Sequence, residues 1–272
     1  MEIHPNDSKF QTMIKQRSTE DTGSTKDYLL LICSAALLFR LLRAYFDTGV
    51  EDDALLYLKM AHSWADLGAG AAYTHCNWIP PLWPWLLSRS VLIGLNPNIF
   101  GEFLGALLGS LLPLFVYHTG QRLEICKKAS LFAAILVAVH PLLIRYSVDN
   151  IRDSLYIPLF SASLYCAISA VKTQNYHWWL TLGFTCGLGL LTRREAPEIL
   201  IIPMLYAGLQ HFSGNKQQWV KNIMPGYAIA IMVICVIVVP TWHAIKDTKT
   251  TWHPLDVTIQ QIITRVRSEV SK

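Results

Sequence analysis

Apolar residues in this chain fall into long blocks separated by short polar clusters. The blocks run from Tyr28 to Phe46, Ile99 to Thr119, Ser130 to Val148, Ser154 to Val171, Trp178 to Leu191, Pro197 to Phe212 and Met224 to His243. An α-helix needs roughly 17 to 25 apolar residues to cross a hydrocarbon core of about 30 Å, and a helix satisfies its own backbone there. The pattern therefore predicts an all-α polytopic transmembrane helix bundle of about seven spans. Trp178 and Trp179, Trp219 and Trp242 stand at block ends, where indole rings favour the headgroup level. The stretch Ile79 to Leu95 is apolar enough to be a further span. Pro80, Pro81 and Pro84 near its start and Arg89 inside it fit a helix lying in the interface better.

This reading divides the chain into a flexible polar tail, residues 1–27, a transmembrane domain over 28–246, and a polar segment over 247–272. Within the transmembrane domain, residues 47–98 form an outer-face loop carrying interfacial helices after the first span. Composition agrees: 52% of the 272 residues are hydrophobic and only 15% charged, below the quarter or so of soluble domains. The net charge of +4 comes without any dense Lys/Arg run, which excludes a nucleic-acid surface. The six cysteines are scattered without ligand spacing and read as small core residues. The histidines form no metal-binding pattern, so neither a structural metal nor a cofactor is expected. Gly187-Leu188-Gly189 lacks the context of a nucleotide loop and reads as close helix packing. Counting Lys and Arg by side does not settle orientation, because arginines crowd the ends of several spans beside acids.

Three charged clusters carry the chemistry. Glu51-Asp52-Asp53 follows the first span, and two adjacent carboxylates there can divide the work, one facing a site and the other orienting it or holding a cation. Between the third and fourth spans, Arg145, Asp149, Arg152 and Asp153 recur at helical spacing. They read either as ion pairs along one face or as a second acid with a phosphate clamp. Arg193, Arg194, Glu195 and Glu198 are squeezed between apolar blocks, where ionisable groups are costly and point to function. Arginine suits phosphate because its planar fork offers paired donors and stays charged. Arg40 and Arg43, three apart near the end of the first span, share one helix face. Snorkelling to the interface is the simpler account of both.

The order of these pieces resembles a known family. A first span ending in arginine is followed by an acidic pair with Ala54 and Tyr57 closely behind. Then come Pro80-Pro81-Leu82-Trp83-Pro84, a turn from Pro141 to Tyr146-Ser147, and Leu191-Thr192-Arg193-Arg194-Glu195. Together they resemble the polytopic GT-C glycosyltransferases, in particular the dolichyl-phosphate-mannose protein mannosyltransferase-like group that includes bacterial lipid A aminoarabinose transferases. The resemblance implies transfer of a sugar from an isoprenyl-phosphate carrier to an acceptor hydroxyl of a protein, lipid or glycan. It implies Asp52 as general base with Asp53 as companion, and Asp149 or Asp153 as a second acid. Arg193 or Arg194 would hold the carrier phosphate, with Arg40, Arg43, Lys59 and Arg89 as further phosphate ligands. It also implies a multi-pass protein with a cytosolic N-terminus, in the plasma (inner) membrane if the host is a prokaryote, and a site at the outer face. Relatives typically carry more spans and a further soluble domain, whereas this sequence ends at Lys272. A shortened or non-catalytic member of the fold, and a transporter or flippase of a lipid-linked or anionic solute, are the competing expectations.

Overall fold

A computed structural model describes residues 6–46, 49, 51–73, 79–205 and 216–246. Within these residues every regular element is helical. Helix α1 spans Asn6–Phe46, and its apolar part, Thr25–Phe46, is long enough to cross a membrane. The helix also runs through residues 6–27, where the sequence suggests a flexible tail. The Lys, Gln, Glu and Met there are good helix formers, and they extend a helix that the apolar block has already nucleated. The polar segment 247–272 lies outside the described residues.

Three short helices follow α1: α2 (Asp52–Leu67), α3 (Ala69–Tyr73) and α4 (Leu82–Leu92). Helix α4 has 11 residues, well short of a span. Pro81 sits at its N-cap, and the buried Ile79, Trp83 and Leu87 pack with Ala54, Tyr57, Met60 and Ala61 of α2. Next, α5 (Pro97–Gly109) and α6 (Leu112–Arg122) make one traverse. Asn96 caps it, accepting hydrogen bonds from the Asn98 and Ile99 amides, and Pro97 follows in the first turn.

Helices α7 (Lys127–Val139) and α8 (Pro141–Val148) occupy the third apolar block but meet at a 52° bend. The cause is local. Pro141 has no N–H to continue the helix and drives His140 into the extended region, at ψ 119°. Helix α9 (Asp153–Thr173) crosses back and ends at Gln174 in the left-handed conformation. It is followed by α10 (Tyr176–Leu190), a 3₁₀ turn (Ala196–Leu200) and α11 (Lys216–Lys246). Among the described residues, four segments are long and apolar enough to cross a membrane, and a fifth if α7 and α8 count as one span. Of the other expected spans, α10 has 15 residues, about 22 Å, and the sixth block is described only to Leu205. Large apolar residues such as Leu30, Leu31 and Val236 point outward from α1 and α11, as lipid-facing residues do. This is an integral membrane protein.

Small residues set the helix spacing. On α5, Gly101, Gly105 and Gly109 stand four apart on the face toward α8 and α9. A Cβ at Gly105 would land on the Ser147 carbonyl and 3.0 Å from Ser154 Cβ, and one at Gly109 would lie 2.7 Å from Arg40 Nε. This is the small-x-x-x-small device that lets membrane helices approach closely. Gly187 and Gly189 act as the sequence suggests, each leaving only 3.0 Å between an added Cβ and Ile237 or Ala196. Two expectations change. Trp179 does not present its ring to the surroundings: it is buried, stacked edge-on with Tyr227 and lying over Gly226. Of the cysteines, Cys166 and Cys186 are core residues, Cys33 is half-buried, Cys126 and Cys235 are exposed, and Cys76 lies outside the described residues.

The α5 stripe makes a quantitative prediction. Gly105→Leu should destabilise the protein by about 1 to 3 kcal/mol through overpacking. Leu107→Ala, on the outward face of the same helix, should cost less than about 0.5 kcal/mol. Thermal unfolding midpoints in detergent micelles distinguish the two, and equal shifts would refute a packed α5 seam.

Candidate functional site

All three charged clusters meet at one end of the bundle. The end of α1, the start of α2, the start of α5, the junction of α8 and α9, and the turn after α10 converge there. Contacts between Arg145 and Glu51, Asn150 and Asn98, Arg193 and Asp153, and the backbones of Leu82 and Leu191 tie them together. The opposite end carries a simpler pair, Lys172 to Glu124 at 2.7 Å.

Asp52 and Asp53 form the exposed first turn of α2, where the helix dipole favours carboxylates. One turn further, Tyr57 is buried beneath them, 3% exposed. Burial, opposed by Arg152, supported by Asp53 and Asp153 and opposed again by Arg193, pushes its hydroxyl up to about 12. It stays a neutral phenol among these charges. Asp153 opens α9 and pairs with Arg193, which also lies 3.3 Å from Glu195 and stacks over the Tyr156 ring at 5.4 Å. Arg193 is thus neutralised on two sides. Arg194 is in a different situation: burial first, and then the nearby Arg152, hold it below the usual arginine range, with Glu195 opposing. Arg152 and Arg194 are thus like charges near each other at this end of the bundle.

Asp149 belongs to a second, adjoining group. Arg145 Nε donates to its carboxylate at 2.9 Å, Arg43 approaches to 3.8 Å, and Arg145 also grips Glu51. The Asp149 side chain is only 5% exposed. Burial, with Glu51 adding to it, raises its carboxyl above the usual range despite both arginines. A pocket beside it is lined by Ala44, Gly49, Asn98, Glu102, Asp149 and Asn150. Asn150 is buried in the left-handed conformation at φ 55°. Its side chain donates to Asn98 Oδ1 at 3.1 Å, Asn98 donates on to Glu102 at 2.6 Å, and its carbonyl accepts from Trp83 Nε1 at 3.1 Å. Among the described residues, no group of three or more His, Cys, Asp or Glu is placed to hold a metal ion.

The remaining expected residues lie apart from these groups. Lys59 is exposed on α2 with no ion pair among the described residues. Arg89 sits in the last turn of α4, 5.3 Å over the Trp85 ring, about 10 Å along the helix from the end that meets the site. Arg40 is completely buried. It neither snorkels nor faces a lipid headgroup, because its acceptors lie within the bundle. Reading charges alone missed Tyr57, Asn98, Glu102 and Asn150 as part of this end. Only Tyr57 carried a signal, at helical spacing four after Asp53.

The profile of the dolichyl-phosphate-mannose-protein mannosyltransferase family matches residues 79–242, more than half of the 272-residue chain. The chain belongs to this family of glycosyltransferases. The matched region contains Asp149, Asp153, Arg193, Arg194 and Arg89, while Asp52, Asp53, Arg40, Arg43 and Lys59 precede it. No curated protein sequence matches the chain.

Two measurements check the electrostatics. A double-mutant cycle of Asp153→Asn and Arg193→Gln should give a coupling of about 1 kcal/mol at low salt, shrinking as ionic strength rises. Zero coupling at low salt would show that the pair does not form. The raised Asp149 carboxyl binds its proton more tightly in the folded chain than in the unfolded one. Its contribution to stability is therefore full below the ordinary carboxylate pKa and is lost as pH rises through the folded value. Asp149→Asn should remove that fall from the pH–stability curve, and an unchanged curve would contradict the assignment.

Proposed function

We propose that this glycosyltransferase moves a sugar from an isoprenyl-phosphate carrier to an acceptor hydroxyl at the outer face of the membrane. One observation carries the reading. In a chain of this family, Asp53, Asp153, Arg152 and Arg193 lie close enough to act on the buried Tyr57, with Asp52 beside Asp53 in the first turn of α2 and Arg194 near Arg152, at a single end of the bundle. That arrangement supplies a base, a second acid and an anion site within one membrane-adjacent region. The family's description names a dolichyl-phosphate-linked mannose donor and a protein acceptor. For this chain we extend only the donor class.

In the proposed step, Asp52 takes the acceptor's hydroxyl proton as the acceptor oxygen bonds to the sugar's anomeric carbon. The bond from that carbon to the carrier phosphate oxygen breaks, and its electron pair leaves with the phosphate. Arg194, with Arg152 beside it, stabilises the departing anion by charge and paired hydrogen bonds. Arg193 is better suited to orienting Asp153, since Asp153 and Glu195 already balance its charge. Asp149, with Arg145 and Glu51, fixes the entry into α2 and so the approach of Asp52. The isoprenyl chain supplies about 0.8 kcal/mol per buried CH₂ for holding the donor in the bilayer, which leaves the protein to meet the phosphate at the interface. A site at the outer face goes with a cytosolic tail.

The test follows radiolabelled sugar from a polyprenyl-phosphate pool into acceptors, in membranes carrying wild type, Asp52→Asn or Arg194→Gln at matched protein levels. Wild type should transfer sugar, and Asp52→Asn should lower the rate by about 10²-fold or more, as loss of a general base does. Arg194→Gln should lower kcat/KM by about 10-fold or more. Transfer that survives Asp52→Asn removes the base assignment. A wild type that transfers nothing to a broad acceptor extract removes the enzymatic reading.

A further inference from the structure

Arg40 is a charged side chain at membrane depth, 0% exposed, and no carboxylate among the described residues pairs with it. Such a residue needs a reason, because a buried guanidinium is costly unless its donors are met. Its acceptors are all neutral, and they meet Nε and Nη1 while Nη2 stays buried without a hydrogen-bond partner among the described residues. Nε donates to Ser147 Oγ at 3.1 Å, and Nη1 donates to the carbonyls of Ala36 at 2.9 Å and Ala138 at 3.4 Å. Ala36 is on α1 itself, Ala138 is in the last turn of α7, and Ser147 is near the end of α8. The guanidinium therefore spans the 52° break between α7 and α8, bonded on both sides of it.

The break creates the need. The last carbonyls of α7 have no donors in their own helix, and Pro141 brings no N–H to meet them. Helix α8 is eight residues long, too short to hold its place by its own hydrogen bonds. Its register must come from neighbours, and it leads directly into Asp149, its C-cap. The Ser147 hydroxyl accepts from Arg40 and donates to the Leu143 carbonyl at 2.6 Å, so the grip passes into the body of α8. Gly109 leaves the room: a Cβ there would strike Ser147 Oγ and lie 2.7 Å from Arg40 Nε. One turn outward on α1, Arg43 reaches Asp149 itself.

We propose that Arg40 is a positioning residue. It caps the broken end of α7, fixes α8 against α1, and so sets where Asp149 stands. The structural part is independent of the reaction; its effect on turnover rests on the glycosyl-transfer reading above. The distinction from a phosphate ligand is kinetic, since a residue that never touches the donor should leave donor binding alone.

The experiment uses the full chain in nanodiscs, comparing wild type with Arg40→Gln, Arg40→Lys and Ser147→Ala. Hydrogen exchange is read over residues 127–153 and over α9, and transfer kinetics are measured on the same samples. Arg40→Gln and Ser147→Ala should speed exchange of the α8 amides by about tenfold or more, with less than about a twofold change in α9. kcat should fall by about tenfold in Arg40→Gln while donor KM stays within about twofold, and Arg40→Lys should recover part of the loss. Unchanged α8 exchange together with a raised donor KM would overturn the proposal and return Arg40 to phosphate binding. If Arg40→Gln loosens every helix, Ser147→Ala decides: a rise confined to α8 supports the proposal, and no rise defeats it. If wild type transfers no sugar, the glycosyl-transfer reading fails, and the exchange data alone rule on Arg40.

Discussion

A guanidinium brought near or into a bilayer must find its partners within the protein, and this constraint organises one end of the bundle. Four arginines meet it in different ways. Arg40 uses neutral acceptors across a helix break, Arg43 and Arg145 share Asp149, and Arg193 is held by Asp153 and Glu195. Each solution joins elements far apart in sequence. As a result α1, α2, α8, α9 and the turn after α10 are fixed to one another through their charges as well as through apolar packing.

These exposed and half-exposed pairs add little to stability one by one. Stability comes from beneath them, where Ile79, Trp83 and Leu87 of the α4 region pack with Tyr57, Met60 and Ala61 of α2 and with Ile151 and Leu155. This second core, built by the short helices against α5 and the start of α9, gives the charged end a dry floor. Hydrogen bonds from Trp83 to the Asn150 carbonyl and from Leu82 to the Leu191 carbonyl anchor that floor to the bundle. The ion pairs then orient side chains on a base that is already rigid, which is what a site for charge-separating chemistry requires.

The long apolar helices α1, α5–α6, α9 and α11 were readable from block length because a spanning helix is specified almost entirely by local composition. The α7–α8 break was legible only in part: Pro141 marked a turn, yet the block Ser130 to Val148 still read as one span. Whether a proline bends a helix or merely caps one depends on who meets the freed carbonyls, and here the answer sits on α1. Trp179 misled for a similar reason, since its burial depends on the recess at Gly226. The charged clusters were visible as charges, but their pairings were not. Arg40 and Arg43 share a helix face and look alike in sequence, yet one turn of depth leaves the first sealed in and the second at the rim. Arg193 and Arg194 are neighbours with different electrostatic settings: the first pairs with Asp153, while Arg152 works against the charge of the second.

Asn150 carries two demands in one residue. Its backbone is left-handed, which favours glycine or asparagine, and its amide also bridges to Asn98 while pressing against Gly101. Glycine would meet the first demand and abandon the second; glutamine or serine would do the reverse. Few single-nucleotide changes at this codon satisfy both, so over evolutionary time this position and its two contacts on α5 should drift together or hardly at all.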